Sequence, residues 1–335
     1  MTSMRTRHLL ALVFTLAAAA CGGGGGDAPD PTGPSLATRT QAATATAQNG
    51  SNACSLVRPF YWEIGDKTQR QAGGSVQAAG GLLSYDADTV MNIASASKWL
   101  YGAYVAERRG GALTAEDVRF LSFRSGYTNF GFSGCEPPDT VASCAARGTN
   151  SLRTDAHVDR FFYNGGHMQV HANLAAPGMN LGALDNAALA AEVRRVLGTD
   201  IVLAYTQPQL AGGVRTSPAS YALFLRKILG DQLRIAALLG SNATCTNPAT
   251  CATAVSTPVP APLSWNYSIG HWVEADPASG DGAFSSAGAF GFYPWVDASK
   301  RWYGIVARVD LGGSGAESAA CGALIRKAWV TGSAQ

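Results

Sequence analysis

Apolar and polar positions change period several times along this chain, and each change marks an element. Phe60-Tyr61-Trp62-Glu63-Ile64-Gly65-Asp66 alternates and ends in a Gly-Asp turn, which predicts a strand. Ser75 to Tyr85 predicts a second short strand. Asp88 to Asn92 is extended and runs into a helical pattern from Lys98 to Arg109, stopped by Gly110-Gly111. Thr114, followed by Glu116 and Asp117, opens the next helix with a capping hydroxyl and an acidic first turn. Phe123 to Arg153 reads as a long loop. Leu184 to Leu197 is a helical pattern starting near Asp185, and Ser217 to Leu229 is another, opened by Ser217-Pro218. Thr257 to Pro262 is held extended by three prolines. Trp265 to Glu274, Gly288 to Val296 and Tyr303 to Val309 read as strands, with turns at Asp281-Gly282 and Asp297 to Lys300. Ala316 to Val330 closes the chain as a helix. Strands at both ends and helices between them predict an α+β fold. Its antiparallel sheet is shared by the terminal segments, with a helical subdomain inserted over roughly residues 105–255.

The helix beginning near Lys98 carries chemistry. A residue at the mouth of a helix meets free backbone N–H groups and the positive end of the dipole. Lys98 lies three residues after Ser95, hence on the same face, so the hydroxyl and the amine can meet. A desolvated amine beside a serine assists removal of its proton and makes it a nucleophile. Ser97 is out of register, because adjacent helical residues point about 100° apart.

Composition narrows the setting. The chain has 335 residues, 47% hydrophobic and 14% charged, enough for a large core. The net charge is +2 and no run of Lys or Arg exceeds two, which argues against nucleic-acid binding. Residues 1–21 read as a secretory signal: Arg5, Arg7 and His8, then an apolar run from Leu9 to Leu16, then Ala17 to Ala20 before Cys21. Small residues directly before a cysteine resemble a bacterial lipoprotein processing site. Cys21 is then the lipidated N-terminus, and the protein is expected in the bacterial cell envelope, anchored on the periplasmic or cell-surface side. Residues 22–50, rich in Gly, Ala, Thr and Pro and lacking periodicity, read as a disordered tether, which leaves residues 51–335 as the folded domain. The other six cysteines suggest three disulfides. Spacing favours Cys135–Cys144 and Cys245–Cys251, leaving Cys54–Cys321 to tie the start of the domain to its last helix.

Four ordered stretches carry a resemblance. They are Thr89 to Lys98 with its S-x-x-K, Leu121 to Gly126, Ala211 to Ser217 with Tyr221 and Phe224, and Ala283 to Gly291 continuing to Asp297. Together they resemble the serine β-lactamase and penicillin-binding-protein superfamily, particularly its class C-like branch of β-lactamases, D-aminopeptidases and esterases. The resemblance implies a β-lactamase-like fold and an acyl-enzyme on Ser95, with Lys98 and a tyrosine as acid–base partners and no cofactor. The family tyrosine commonly sits in Y-x-N. Tyr163-Asn164-Gly165 has the right surroundings with the asparagine displaced; Tyr127-Thr128-Asn129 matches literally but directly follows Ser125-Gly126. Tyr163 is the preferred candidate.

The family's third motif, K-T/S-G, appears here as Ser286-Ala287-Gly288, without its cation. That departure points away from β-lactams and D-Ala peptides and toward a small neutral ester or amide. The backbone N–H groups of Ser95 and Ala289 are the expected oxyanion hole. Substrate contacts are expected from Ser286, Ala287, Gly288, Asn164, Arg124 and Tyr127, with Arg124 or Arg215 able to stand in for the lost cation. The alternatives are a β-lactamase or D-Ala peptidase with a relocated anchor, and an inactive envelope binding protein of the same fold. His167 and His171 have the i, i+4 spacing of a zinc helix, but Met168 stands where that motif needs glutamate, so no metal is expected.

Overall fold

The structure, a computed structural model, describes residues 33–131, 134–261 and 263–335. The chain divides into Met1–Gly33 and Pro34–Gln335. The expected export signal, the run from Gly22 to Gly26 and Cys21 lie outside the described residues.

The second unit opens with helix α1 (Leu36–Gln48), a short turn of 3-10 helix at Ala53–Val57, and strands β1 (Phe60–Gly65) and β2 (Arg70–Val76). Next come β3 (Met91–Asn92), a 3-10 turn at Ala94–Ala96 and α2 (Ser97–Arg108). The middle of the chain supplies α3 (Ala115–Leu121), α4 (Val141–Ala146), β4 (Phe161–Phe162), α5 (Gly166–Asn173) and α6 (Asn186–Leu197). It continues with β5 (Leu203–Tyr205), β6 (Val214–Thr216), α7 (Pro218–Leu229), α8 (Ile235–Leu238), β7 (Thr244–Cys245) and β8 (Ala254–Ser256). The C-terminal part is β9 (Asn266–Tyr267), β10 (Trp272–Val273), β11 (Phe284–Ser285), β12 (Tyr293–Val296), β13 (Tyr303–Ala307) and α9 (Gly315–Thr331).

Eight strands form one antiparallel sheet in the order β2-β1-β13-β12-β11-β10-β9-β7, so the two ends of the domain meet at the β1–β13 pair. All six residues of β1 are buried, because helices cover both faces of the sheet. Alternation sorts the side chains between two cores. Tyr61, Tyr303 and Ile305 join Trp99, Tyr221 and Phe224 on one side. Trp62, Ile64, Trp295 and Val306 meet Ala43, Ala47 and Trp329 on the other. Disulfides join Cys54 to Cys321, Cys135 to Cys144 and Cys245 to Cys251.

The structure corrects four readings. Part of the expected tether is α1, capped by Ser35 Oγ on Thr38 N–H. Its alanines favour a helix without showing apolar periodicity, and their small size lets it lie against α9, where Arg39 Nη1 donates to the Trp329 carbonyl at 2.8 Å. The second strand ends at Val76 instead of running to Tyr85. Residues beyond it leave the sheet edge, held by Ser75 Oγ on Tyr85 O and by Tyr85 OH on Val309 O. Trp265 to Glu274 is a hairpin and not one strand; Gly270, at φ +74°, turns the chain between β9 and β10. The strand expected from Gly288 begins only at Tyr293, because Gly288 N–H closes a turn on Phe292 O at 2.8 Å.

Candidate active site

Ser95 sits in the 3-10 turn that feeds α2, half-buried. The turn is tightly specified. Ala94 before it has φ +43°, a region L-residues enter only when their surroundings hold them there. Ser97, out of register for chemistry, does the holding. Its Oγ donates to Ala94 O at 2.7 Å and accepts Val214 N–H at 3.2 Å. Tyr221 OH donates to Ala96 O at 2.9 Å, and Ser286 Oγ donates to Ser95 O at 3.1 Å. Gly288 contributes by having no side chain, since a Cβ there would run into the Ile93 carbonyl.

Lys98 is buried, with Nζ 2.8 Å from Ser95 Oγ and 2.7 Å from the Ala211 carbonyl oxygen. Burial is the cause that lowers its pKa to about 7, because a cation loses its hydration there. The same Nζ lies 4.8 Å from the centre of the Tyr163 ring. Burial raises the Tyr163 phenol to about 12, opposed by a hydrogen bond with the Ser95 side chain. At neutral pH Lys98 is therefore partly free amine, whereas the Tyr163 phenol keeps its proton.

Tyr163 follows β4, and its N–H donates to Ser256 O at 3.0 Å. Its ring stacks on Trp272 at 5.3 Å and meets Phe123 and Tyr267 edge-on at 5.4 and 6.0 Å. These aromatics are buried and form a rigid wall behind the phenol. Tyr127 instead stacks on Phe120 at 5.7 Å, so it is Tyr163 that the fold brings to Ser95 and Lys98.

The backbone of residues 286–288 lies against the Ser95 turn. Ser286 and Gly288 donate their N–H groups toward β12, to Pro294 O and Phe292 O. Ser286 itself is buried against the Ser95 turn, where its Oγ braces the Ser95 carbonyl.

Three other residues expected at the substrate make contacts within the protein or lie on its surface. Asn164 Oδ1 accepts Gly166 N–H and Phe130 N–H, which leaves its amide clamping a loop. Arg124 Nε donates to Ser122 Oγ. Arg215 lies on the exposed face of β6, paired in register with Asn92 and Ala204. Neither arginine touches Ser95, Lys98 or Tyr163 among the described contacts. His167 and His171 also diverge. His167 bonds Ser125 Oγ at 2.7 Å and Phe162 O at 3.0 Å, and burial lowers it to about 3, so it is neutral. His171 bonds Tyr101 OH and Asp117. Among the described residues no three metal-binding side chains converge.

Sequence reasoning missed the Ala211 carbonyl, the bracing by Ser97 and the aromatic wall. The first is backbone, which carries no residue-type signal. The last looks like any apolar core until Tyr163 is seen to rest on it.

No protein-family model and no curated protein matches the chain. Solved structures do. An octameric penicillin-binding protein homologue from Pyrococcus abyssi aligns at TM-score 0.58 and 13% identity, over 83% of this chain and 74% of its own. A candidate β-lactamase from Bacteroides dorei DSM 17855 aligns at TM-score 0.57 and 18% identity, over 80% and 93%. A D-amino acid amidase from Ochrobactrum anthropi SV3 aligns at TM-score 0.57 and 10% identity, over 81% and 95%. The fold is that of the β-lactamase and penicillin-binding-protein-like hydrolases.

Proposed function

We propose that this chain, folded as a β-lactamase-like domain, is an exported serine hydrolase that cleaves a small ester or amide through an acyl-enzyme on Ser95. One observation carries the reading. A buried Lys98 amine, with a pKa lowered to about 7 and no carboxylate against it among the described residues, lies 2.8 Å from the Ser95 hydroxyl. As a free amine, Lys98 takes the Ser95 proton while Oγ attacks the substrate carbonyl. The Ser95 and Ala289 amides hold the oxyanion, a contribution of roughly 3–4 kcal/mol for one such donor. The Tyr163 phenol gives its proton to the leaving group and is reprotonated through Lys98. Water then attacks the acyl ester with the same groups in reverse.

The absence of a cation at Ser286 supports a neutral substrate. Three disulfides suit an oxidising compartment. With the Cys21 context they support export and a lipid anchor, and Cys21→Ser is expected to move the protein from the membrane fraction to the soluble one. The chemistry is tested by incubating the folded domain and its Ser95→Ala variant with a fluorophosphonate, a short-chain nitrophenyl ester and a chromogenic cephalosporin. An adduct on Ser95 and Ser95-dependent ester cleavage are expected. No adduct with any reagent would sink the enzyme reading, and fast cephalosporin turnover would replace esters with β-lactams.

A further inference from the structure

We infer that His167, held in one tautomer by Ser125, is a positioning residue that aims the Tyr163 phenol at the leaving group. The inference rests on the acid role proposed for Tyr163 and deepens it.

The peptide that joins Phe162 to Tyr163 is gripped from both sides. Its N–H donates to Ser256 O at 3.0 Å, on the parallel neighbour β8. Its carbonyl oxygen accepts a bond from His167 Nε2 at 3.0 Å. A carbonyl oxygen only accepts, so Nε2 carries the hydrogen. Burial, which lowers the pKa of the ring to about 3, keeps it neutral, and Nδ1 is then a bare acceptor. Ser125 Oγ lies 2.7 Å from Nδ1 and donates to it. Ser125 and Phe162 between them leave the imidazole a single tautomer.

The segment that supplies Ser125 is shaped around the same unit. Gly126 turns at φ +82°, and a Cβ there would lie 2.8 Å from Val158 Cγ2. Phe123, two residues before Ser125, is buried at φ +60°, where a bulky L-residue sits only when its neighbours hold it. Its carbonyl accepts Phe162 N–H at 3.0 Å. Its ring stacks on His167 at 5.1 Å and meets Tyr163 edge-on at 5.4 Å. The strained turn, the histidine and the backbone of Tyr163 therefore form one rigid assembly. The phenol oxygen is the far end of the Tyr163 side chain, so a small rotation of the peptide at its root moves it most. Proton delivery needs that oxygen within hydrogen-bond reach of the departing atom. A leaving group that departs as a stable anion needs no such delivery.

The test compares kcat/KM, which reports acylation, for ethyl acetate and 4-nitrophenyl acetate. Ethoxide must be protonated as it leaves, and nitrophenolate need not be. Rates are normalised to the fraction of Ser95 that a fluorophosphonate labels, which sets misfolded protein aside. His167→Met keeps an apolar chain and loses both nitrogens. It is expected to lower the ethyl-to-nitrophenyl ratio about fivefold, the size of one net hydrogen bond. His167→Gln, whose Nε2 still reaches Phe162 O as a donor, should recover most of that ratio. Ser125→Ala should lower it about twofold. A second arm needs no turnover: nitrogen-15 spectra of the imidazoles should show His167 protonated at Nε2 alone in wild type and as a mixture in Ser125→Ala. An unchanged ratio in His167→Met, an equal loss on both esters, a wild type that cleaves only the nitrophenyl ester, or a hydrogen on Nδ1 in wild type would overturn the inference. Tyr163→Phe separates the two failures. If it too leaves the ratio unchanged, the acid role of Tyr163 falls; if it lowers the ratio and His167→Met does not, only the positioning by His167 falls.

Discussion

Lys98 and Arg326 are both buried cations on helices that flank the same sheet, and their surroundings differ in kind. Arg326, on α9, has Nη2 2.6 Å from Glu274, Nε 2.6 Å from Asp281 and Nη1 2.8 Å from Tyr293 OH. Despite burial, its partners hold it charged and push its pKa up. Lys98 has a hydroxyl, a backbone carbonyl and an aromatic face and, among the described residues, no anion. Its pKa goes the other way. Pairing makes a buried charge a structural tie; withholding the pair makes it a base. A buried ammonium without a counterion costs stability, and at an active site that cost is what poises the proton near neutrality.

Removing each cation should break the comparison in opposite senses. Lys98→Met is expected to lower ester cleavage by about three orders of magnitude or more while leaving the melting temperature equal or higher, because it removes a desolvated charge. Parallel kinetics and thermal denaturation check this; a large drop in melting temperature would mean Lys98 is a structural tie after all. Arg326→Met should do the reverse. It strands Glu274 and Asp281, for a loss of about 3–5 kcal/mol in denaturant unfolding, while the fraction still folded labels at Ser95 at the wild-type rate.

Tyr163→Phe sharpens the division within the site. It keeps the stack on Trp272 and loses the proton, so a fall of about a hundredfold in kcat is expected with little change in stability. The effect should shrink for esters with good leaving groups, which need no proton. The pH profile is the next effect in size. Lys98 acts as free amine, so the rate should fall about tenfold per pH unit below about 7 and level off above it. A profile flat down to pH 5 would remove Lys98 from the base role. The smallest effect is expected at Ser286→Ala. Losing its bond to Ser95 O should cost about 1 kcal/mol and a few-fold in acylation, since the turn keeps its other two braces.

The Ser95–Lys98 pair was legible in sequence because it is local: three residues along a helix put both groups on one side whatever surrounds them. The capped helices α3, α6 and α7 were legible for the same reason, each announced by Thr114, Asp185 or Ser217. The strands were less so. Trp265 to Glu274 has the composition of one strand, and only Gly270 in its left-handed turn makes it two. Helix α1 escaped notice because its stability comes from α9, nearly three hundred residues on, and not from a pattern of its own.

What the sequence determined by itself, then, is what depends on neighbours a few residues apart: the nucleophile and its amine, the helix starts, the sharing of one sheet by both ends. The tertiary structure decided between the two tyrosines the sequence offered, and showed that Asn164 and Arg124 bond to neighbouring loop residues and that, among the described residues, no carboxylate lies against Lys98. Those are facts about what is near in space after folding. Residue type does not encode them, because a tyrosine stacked on Trp272 beside a lysine and one stacked on Phe120 away from it look the same along the chain.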